Sequence, residues 1–191
     1  KRTETIAITM SEGPKKPAKV TDAQLQLVGN DTLVGGRRVH QWADGRHIYF
    51  ALKVSRPFKR ATLYSDDAPL ADGETQAKGI NLKAALHYDR LNDAPLLVKV
   101  GISGVDVEGA LRNLTTEIPA WDFDGVQAAA EAAWESELSR IRIESSSDDI
   151  KRTFYSALYH TMLAPTLFSD VDGRYRGMDM KLHQLPQGQH N

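Results

Sequence analysis

The sequence predicts an antiparallel β-sandwich that gives way, near its middle, to α-helices. Three observations carry this. Up to about residue 104 apolar residues recur mostly with period two. The runs are short and separated by turn-forming clusters such as "GNDT", "SDDAP" and "ADGE". From about Val105 the apolar spacing lengthens to three and four.

The strands come first. In "RHIYFALKVS", Ile48, Phe50, Leu52 and Val54 fall on one face, with Tyr49 and Lys53 on the other, as in a half-buried strand. The runs "AQLQLV", "RATLYS", "KGINLKAALHY" and "PLLVKVGIS" behave alike, and Lys53 and Lys83 fit positions that face water. Five or so strands at this spacing favour an antiparallel sandwich, because a parallel sheet would need helical crossovers between them.

The helices follow. "VDVEGALRNLTTEI" reads as a short helix stopped by Pro119. In "WDFDGVQAAAEAAWESELSRI", Phe123, Val126, Ala130, Trp134, Leu138 and Ile141 form one stripe. Asp124 is the expected N-cap, with Gln127 three residues on as in a capping box. After the extended bridge "RIRIE", a helix opens at "SSSDD" with Ser146 and Asp149 as its capping pair. Ile150, Phe154, Ala157, Leu158 and Met162 form its expected buried face, and Pro165 ends it. Its length, about 15 residues, suits a helical bundle or barrel.

Composition excludes several functions. Twenty-four basic residues balance 25 acidic ones, so no net field draws nucleic acid or a membrane surface. No stretch approaches the roughly 18 apolar residues of a membrane span. Cysteine is absent, which excludes disulfides, thiolate metal sites and a cysteine nucleophile. The chain opens on Lys1 without a start methionine or signal segment and stops within "QGQHN", as an internal piece of a longer polypeptide would.

One stretch concentrates polar chemistry. "FSDVDGRYRGMDMKLHQ", from Phe168 to Gln184, follows directly on the last helix. Asp170, Asp172 and Asp179 could offer oxygen ligands to a hard cation, but the twelve-residue calcium-loop pattern is missing, and Asp172-Gly173 is a turn pair in its own right. Arg174 and Arg176 share one side of an extended segment, where they could buttress the carboxylates or grip sugar hydroxyls. Trp42 is a candidate sugar platform that core packing explains at least as well, and Trp121 is another for which packing at the helix entry is the favoured account. His40 and His47 are a poor metal signature. Asp66-Asp67 and Asp148-Asp149 are sequence neighbours that cannot face each other across a scissile bond. Unaided, the residues predict a β-sandwich joined to a helical domain, and no reaction.

Four segments add a resemblance. "GRRVHQWADGRHIYFALKVSRPF", "LLVKVGISGVDVEGALRNLTTEIPAWDFDGV", "FYSALYHTMLAP" and "FSDVDGRYRGMD" resemble, in this order, glycoside hydrolase family 92, the calcium-dependent exo-α-mannosidases. The likeness runs from about Val20 to the last residue. It implies a multidomain β-then-α architecture. Residues 1–118 would be the later part of an antiparallel β-sandwich, 119–145 a helical linker, and 146–191 the first helix of an (α/α)6 catalytic barrel with its following loop.

The resemblance further implies an inverting mechanism on mannose-containing glycans. Ca2+ would hold two adjacent hydroxyls of the terminal mannose. The family's acid, base and calcium ligands lie beyond residue 191, so no residue here is assigned as catalytic or as a metal ligand, and this chain alone is expected to be inactive. Asp170, Asp172, Arg176 and Asp179 are the expected framework of a sugar-facing loop, with Trp42 as a further substrate contact. A periplasmic or secreted bacterial location is implied by the family's work on extracellular glycans. The alternative is a non-catalytic carbohydrate-binding or scaffold module in which the sandwich does the work.

Overall fold

A computed structural model describes residues 4–10, 19–40, 45–89, 95–186 and 188–189. Its β part is two antiparallel sheets. The larger has the order β7(Gln76–Gly79), β2(Lys19–Val28), β3(Thr32–His40), β4(Arg46–Val54), β9(Val98–Ser103). The smaller runs β1(Glu4–Met10), β8(Leu82–Tyr88), β5(Arg60–Ser65), β6(Ala68–Pro69). Hairpin turns set the register. At the β5–β6 turn Asp66 and Asp67 both take positive φ, as a tight two-residue hairpin requires.

The core lies between the sheets. Leu25, Leu33, Leu63 and Leu82 pack in one cluster, and Leu52, Val54, Phe58 and Leu86 in a second. Burying each such side chain contributes about 1.5–3 kcal/mol, which makes these positions the main support of the sandwich. Of the four β4 residues expected to face inward, Phe50, Leu52 and Val54 meet the second cluster, while Ile48 is half-buried and belongs to none of the core clusters.

The opposite face of the larger sheet is covered too. Helix α1(Val107–Glu117) buries Ala110 and Leu114 against Val34 and Ala51. Asp106 caps its start by accepting the Gly109 N–H, and Pro119 follows its C-cap Ile118. Gly101 of β9 permits the close approach, since a Cβ there would stand 2.4 Å from the Ala110 carbonyl oxygen and 2.7 Å from Leu114 Cβ.

Strand β3 escaped the period-two reading because Gly35, Gly36, Arg37 and Arg38 interrupt its apolar pattern. The glycines have a packing cause. A Cβ on Gly35 would meet Phe50 Cε1 at 2.8 Å, and one on Gly36 would meet Tyr49 Cδ1 at 2.5 Å, so aromatic rings of β4 fill the space they leave.

Residues 122–167 form a separate compact unit, whereas residues 168–191 belong to the same unit as the sandwich. The helical unit holds α2(Phe123–Leu138) and α3(Asp148–Thr161). Both expected N-caps move. Asp122, not Asp124, caps α2 by accepting the Gly125 N–H, because it stands just outside the first turn; Gln127 bonds Glu131 instead of closing a capping box. Ser147, not Ser146, caps α3 through the Ile150 N–H. Trp134 meets Tyr159 edge-on at 4.5 Å between ring centroids, and the Tyr155 hydroxyl donates to the Ile141 carbonyl. Neither helix buries any residue fully: of the expected buried face, Phe154 and Leu158 are half-buried, while Ile150, Ala157 and Met162 are exposed.

A prediction follows from the α1 contact. Gly101→Val should force α1 off β9 and cost about 2 kcal/mol or more, read as a lower urea midpoint. An unchanged midpoint would mean that the helix yields without loss.

Candidate functional site

The charged stretch folds back onto the corner where β9 passes into α1. A short antiparallel hairpin, β10(Arg174–Arg176) and β11(Leu182–Gln184), forms its body. Before the hairpin a turn is closed by Gly173 N–H to the Asp170 carbonyl, with Gly173 at φ +81°. Only glycine adopts that conformation without strain.

Asp170 is the anchor. It is buried, and a buried carboxylate must be met by donors. Ser103 Oγ–H donates to Asp170 Oδ2 at 2.7 Å, and Asn113 Nδ2–H to Asp170 Oδ1 at 2.9 Å. Asn113 completes the joint by accepting the Val171 N–H at 2.9 Å and donating to the Ile102 carbonyl. Gly109 leaves the room needed, because a Cβ there would stand 2.2 Å from Asp170 Oδ2.

An ion network lies beside it. Arg174 donates to both carboxylate oxygens of Asp106, at 2.6 and 3.2 Å, and through Nε to Asp172 at 2.8 Å. Arg112 also bonds Asp172. Burial opposes ionisation of Asp106, but hydrogen bonds from Arg174 and the Gly109 N–H outweigh it and hold its pKa below the ordinary value. For Asp172 burial is likewise outweighed, here by the Arg174 N–H and guanidinium. The Arg174 pKa moves up, chiefly through its bond to Asp106.

Arg176 behaves differently from the carboxylate buttress the alternation suggested. Its Nε, Nη1 and Nη2 donate to the carbonyls of Gly104, Met180 and Val105 at 2.9, 2.9 and 3.1 Å. Asp179 lies at the exposed hairpin tip, where His183 Nε2 approaches it at 2.9 Å and the Lys181 N–H donates to it. The His183 hydrogen bond leads in lowering the Asp179 pKa. His183 in turn stacks on Tyr175 at 5.4 Å.

The structure therefore gathers Asp170, Asp172, Arg176 and Asp179 on one turn-and-hairpin. Trp42 lies outside the described residues. Trp121 has the Lys99 ammonium 4.6 Å from its ring centroid, a cation–π contact, and Lys99 also holds the Ile118 carbonyl. Ser103, Asp106, Arg112 and Asn113 were not legible as site residues. Asp106 has an N-cap signature before an apolar run, but nothing local announces a partner 68 residues away.

Chemically this is a clamp. Each carboxylate in it is committed to protein donors. Among the described residues no three or more His, Asp or Glu side chains converge as a metal site would require. These carboxylates do not fit a calcium centre.

Two family models divide the chain. The glycosyl hydrolase family 92 N-terminal domain matches residues 1–103, and the family's catalytic domain matches residues 109–191. The chain belongs to glycosyl hydrolase family 92. A family 92 α-mannosidase of Bacteroides thetaiotaomicron superposes on this glycosyl hydrolase chain with a TM-score of 0.84 and 26% identity. That match covers 100% of this chain and 27% of the other. The same α-mannosidase in complex with mannoimidazole gives a TM-score of 0.82 at 27% identity, with the same coverage. An uncharacterized secreted glycosidase of Arthroderma benhamiae is 37% identical over 86 residues, 42% of this chain and 11% of its own length. The chain thus spans about a quarter of the solved relatives it matches.

The clamp predicts an acid-sensitive stability. Because the native pKa values of Asp106 and Asp172 lie below their unfolded values, their contribution is present above about pH 4 and is lost as pH falls through the native values. Arg174→Met should cost about 1–2 kcal/mol at pH 6, the partial exposure of the pairs limiting the loss. It should also shrink the difference in urea midpoint between pH 6 and pH 3. An acid loss equal to that of the unsubstituted protein would contradict the assignment.

Proposed function

We propose that this chain is part of a glycoside hydrolase that removes terminal α-linked mannose from glycans, by an inverting mechanism that depends on calcium. The observation that carries the reading is the match of both family 92 domains along one chain, together with its whole-length likeness to an α-mannosidase at 26% identity. The mannoimidazole complex of that relative supports a mannose-type substrate. The likeness to a secreted glycosidase supports work outside the cytoplasm, periplasmic or secreted. Among the described residues no helix is long and apolar enough to cross a membrane.

In this reading residues 1–118 form the sandwich domain, 119–145 the linker and 146–191 the opening of the catalytic (α/α)6 domain. The exposed apolar side chains of α2 and α3 support the assignment, since further helices of a barrel would cover them. An inverting enzyme needs two carboxyl groups about 6.5–9.5 Å apart, one to protonate the leaving oxygen and one to activate water. Those groups, and the calcium ligands, belong to the remainder of the catalytic domain. Calcium, when bound there, supplies Lewis-acid and template chemistry. The contribution of this chain is positional. Asp170, Asp172, Arg176 and Asp179 hold the β10–β11 hairpin as the framework of a sugar-facing loop, and Trp42 adds a substrate contact.

The test is an assay of the full-length enzyme on an aryl α-mannoside, with the product anomer followed by NMR. The expected result is release of mannose with inverted configuration, abolished by a chelator and restored by Ca2+. Retention of configuration, or no release, would overturn the reading. The 191-residue chain alone should show no turnover above a protein-free control.

A further inference from the structure

Two segments carry the Asn-X-Thr pattern that an oligosaccharyltransferase reads, Asn30-Asp31-Thr32 and Asn113-Leu114-Thr115. The pattern alone does not rank them. The fold does, because it sets the two asparagines in opposite surroundings.

Asn30 stands in the turn between β2 and β3, whose last paired residues are Val28 and Thr32. It is exposed. Space beside it is open, since a Cβ added at the preceding Gly29 would meet no atom within 4 Å. The backbone beneath is fixed: the Asn30 carbonyl accepts the Phe58 N–H at 2.8 Å, and the Asp31 carbonyl accepts the Val54 N–H at 2.9 Å. A bulky polar group on the Asn30 amide stays in water, on a turn that the sandwich already holds.

Asn113 is only 7% exposed, on the buried face of α1. A side-chain amide has two protons, and here both are used. Nδ2–H donates to the Asp170 carboxylate at 2.9 Å and to the Ile102 carbonyl at 2.8 Å. A sugar on Nδ2 replaces one of those protons, which leaves a buried acceptor without its donor and forces a ring into a packed joint. A chain modified at Asn113 cannot close around Asp170.

We propose that Asn30 accepts an N-linked oligosaccharide in a secretory pathway that holds the transferase, and that Asn113 is closed to one in the folded chain. The donor is a lipid-pyrophosphate-linked oligosaccharide. Asn30 Nδ2 forms a bond to the anomeric carbon as the bond from that carbon to the pyrophosphate oxygen breaks. The amide gives one proton to a base of the transferase, and the lipid pyrophosphate leaves. The proposal rests on the export in the proposed function and not on its mannose chemistry.

Secretion of the full-length enzyme from a yeast host tests it. When peptide N-glycosidase removes the glycans in heavy-oxygen water, each formerly modified Asn becomes a labelled Asp that mass spectrometry locates. The tryptic peptide Val20–Arg37 should carry the label in most molecules, and Asn113–Arg140 in none of the secreted, folded protein. Asn30→Gln should abolish the glycan-dependent gel shift without moving the thermal midpoint, because the side chain it changes is exposed. The oligosaccharide is added during synthesis, so Asn30 is also read in chain retained by the host. A Val20–Arg37 peptide without label in both pools would overturn the proposal. Label on Asn113–Arg140 in the folded protein would contradict the part assigned to Asn113. Mannose release is a separate readout, so the proposed function and this proposal can fail independently.

Discussion

A carboxylate taken out of water has to be met by donors that are already in place, and Asp170 is met by Ser103 and Asn113. That requirement organises the second half of the compact unit. Asp170 can sit where it does only because Gly109 carries no Cβ, because Ser103 ends a strand rather than continuing it, and because Asn113 lies on the buried face of α1. Once Asp170 is fixed, the turn at Gly173 follows, and the hairpin arginines fall against Asp106 and the Gly104 and Val105 carbonyls.

The joint also runs across the domain description of the family. Ser103 is the last residue matched to the N-terminal domain, whereas Asn113 and Asp170 fall within the stretch matched to the catalytic domain. Physically all three share one compact unit, while α2 and α3, which lie between Asn113 and Asp170 in sequence, form another. Sequence order and packing order differ here. The chain leaves the sandwich, builds a pair of helices, and returns a hairpin to the sandwich's own corner. A loop that carries site residues gains precision from such support, because sites held by rigid elements keep their geometry better than free loops.

Much of the architecture was legible before any coordinates. Alternation placed Phe50, Leu52 and Val54 on the inner face of β4, and the switch to three-and-four spacing located all three helices. What alternation could not see was β3, whose glycines make sense only once Phe50 and Tyr49 of the neighbouring strand are known. The capping residues slipped by one or two positions, as they do where several Asp or Ser side chains compete for the same N–H groups. In the site, the cluster of Asp and Arg was visible as charge after a helix. Its partners were not, because Ser103, Asp106 and Asn113 read locally as a strand end, a helix cap and a helix interior. Their second role exists only through contacts spanning 57 to 68 residues.

The central claim is that the segment from Asp170 to Gln184 is a structural part of the sandwich body rather than a loop resting on it. Native-state hydrogen exchange addresses this residue by residue. The Val171 N–H, held by Asn113, and the hairpin amides should open with the same free energy as the amides of β9 and α1. Exchange of those protons at the rate of an unprotected loop, while β9 and α1 stay closed, would contradict it.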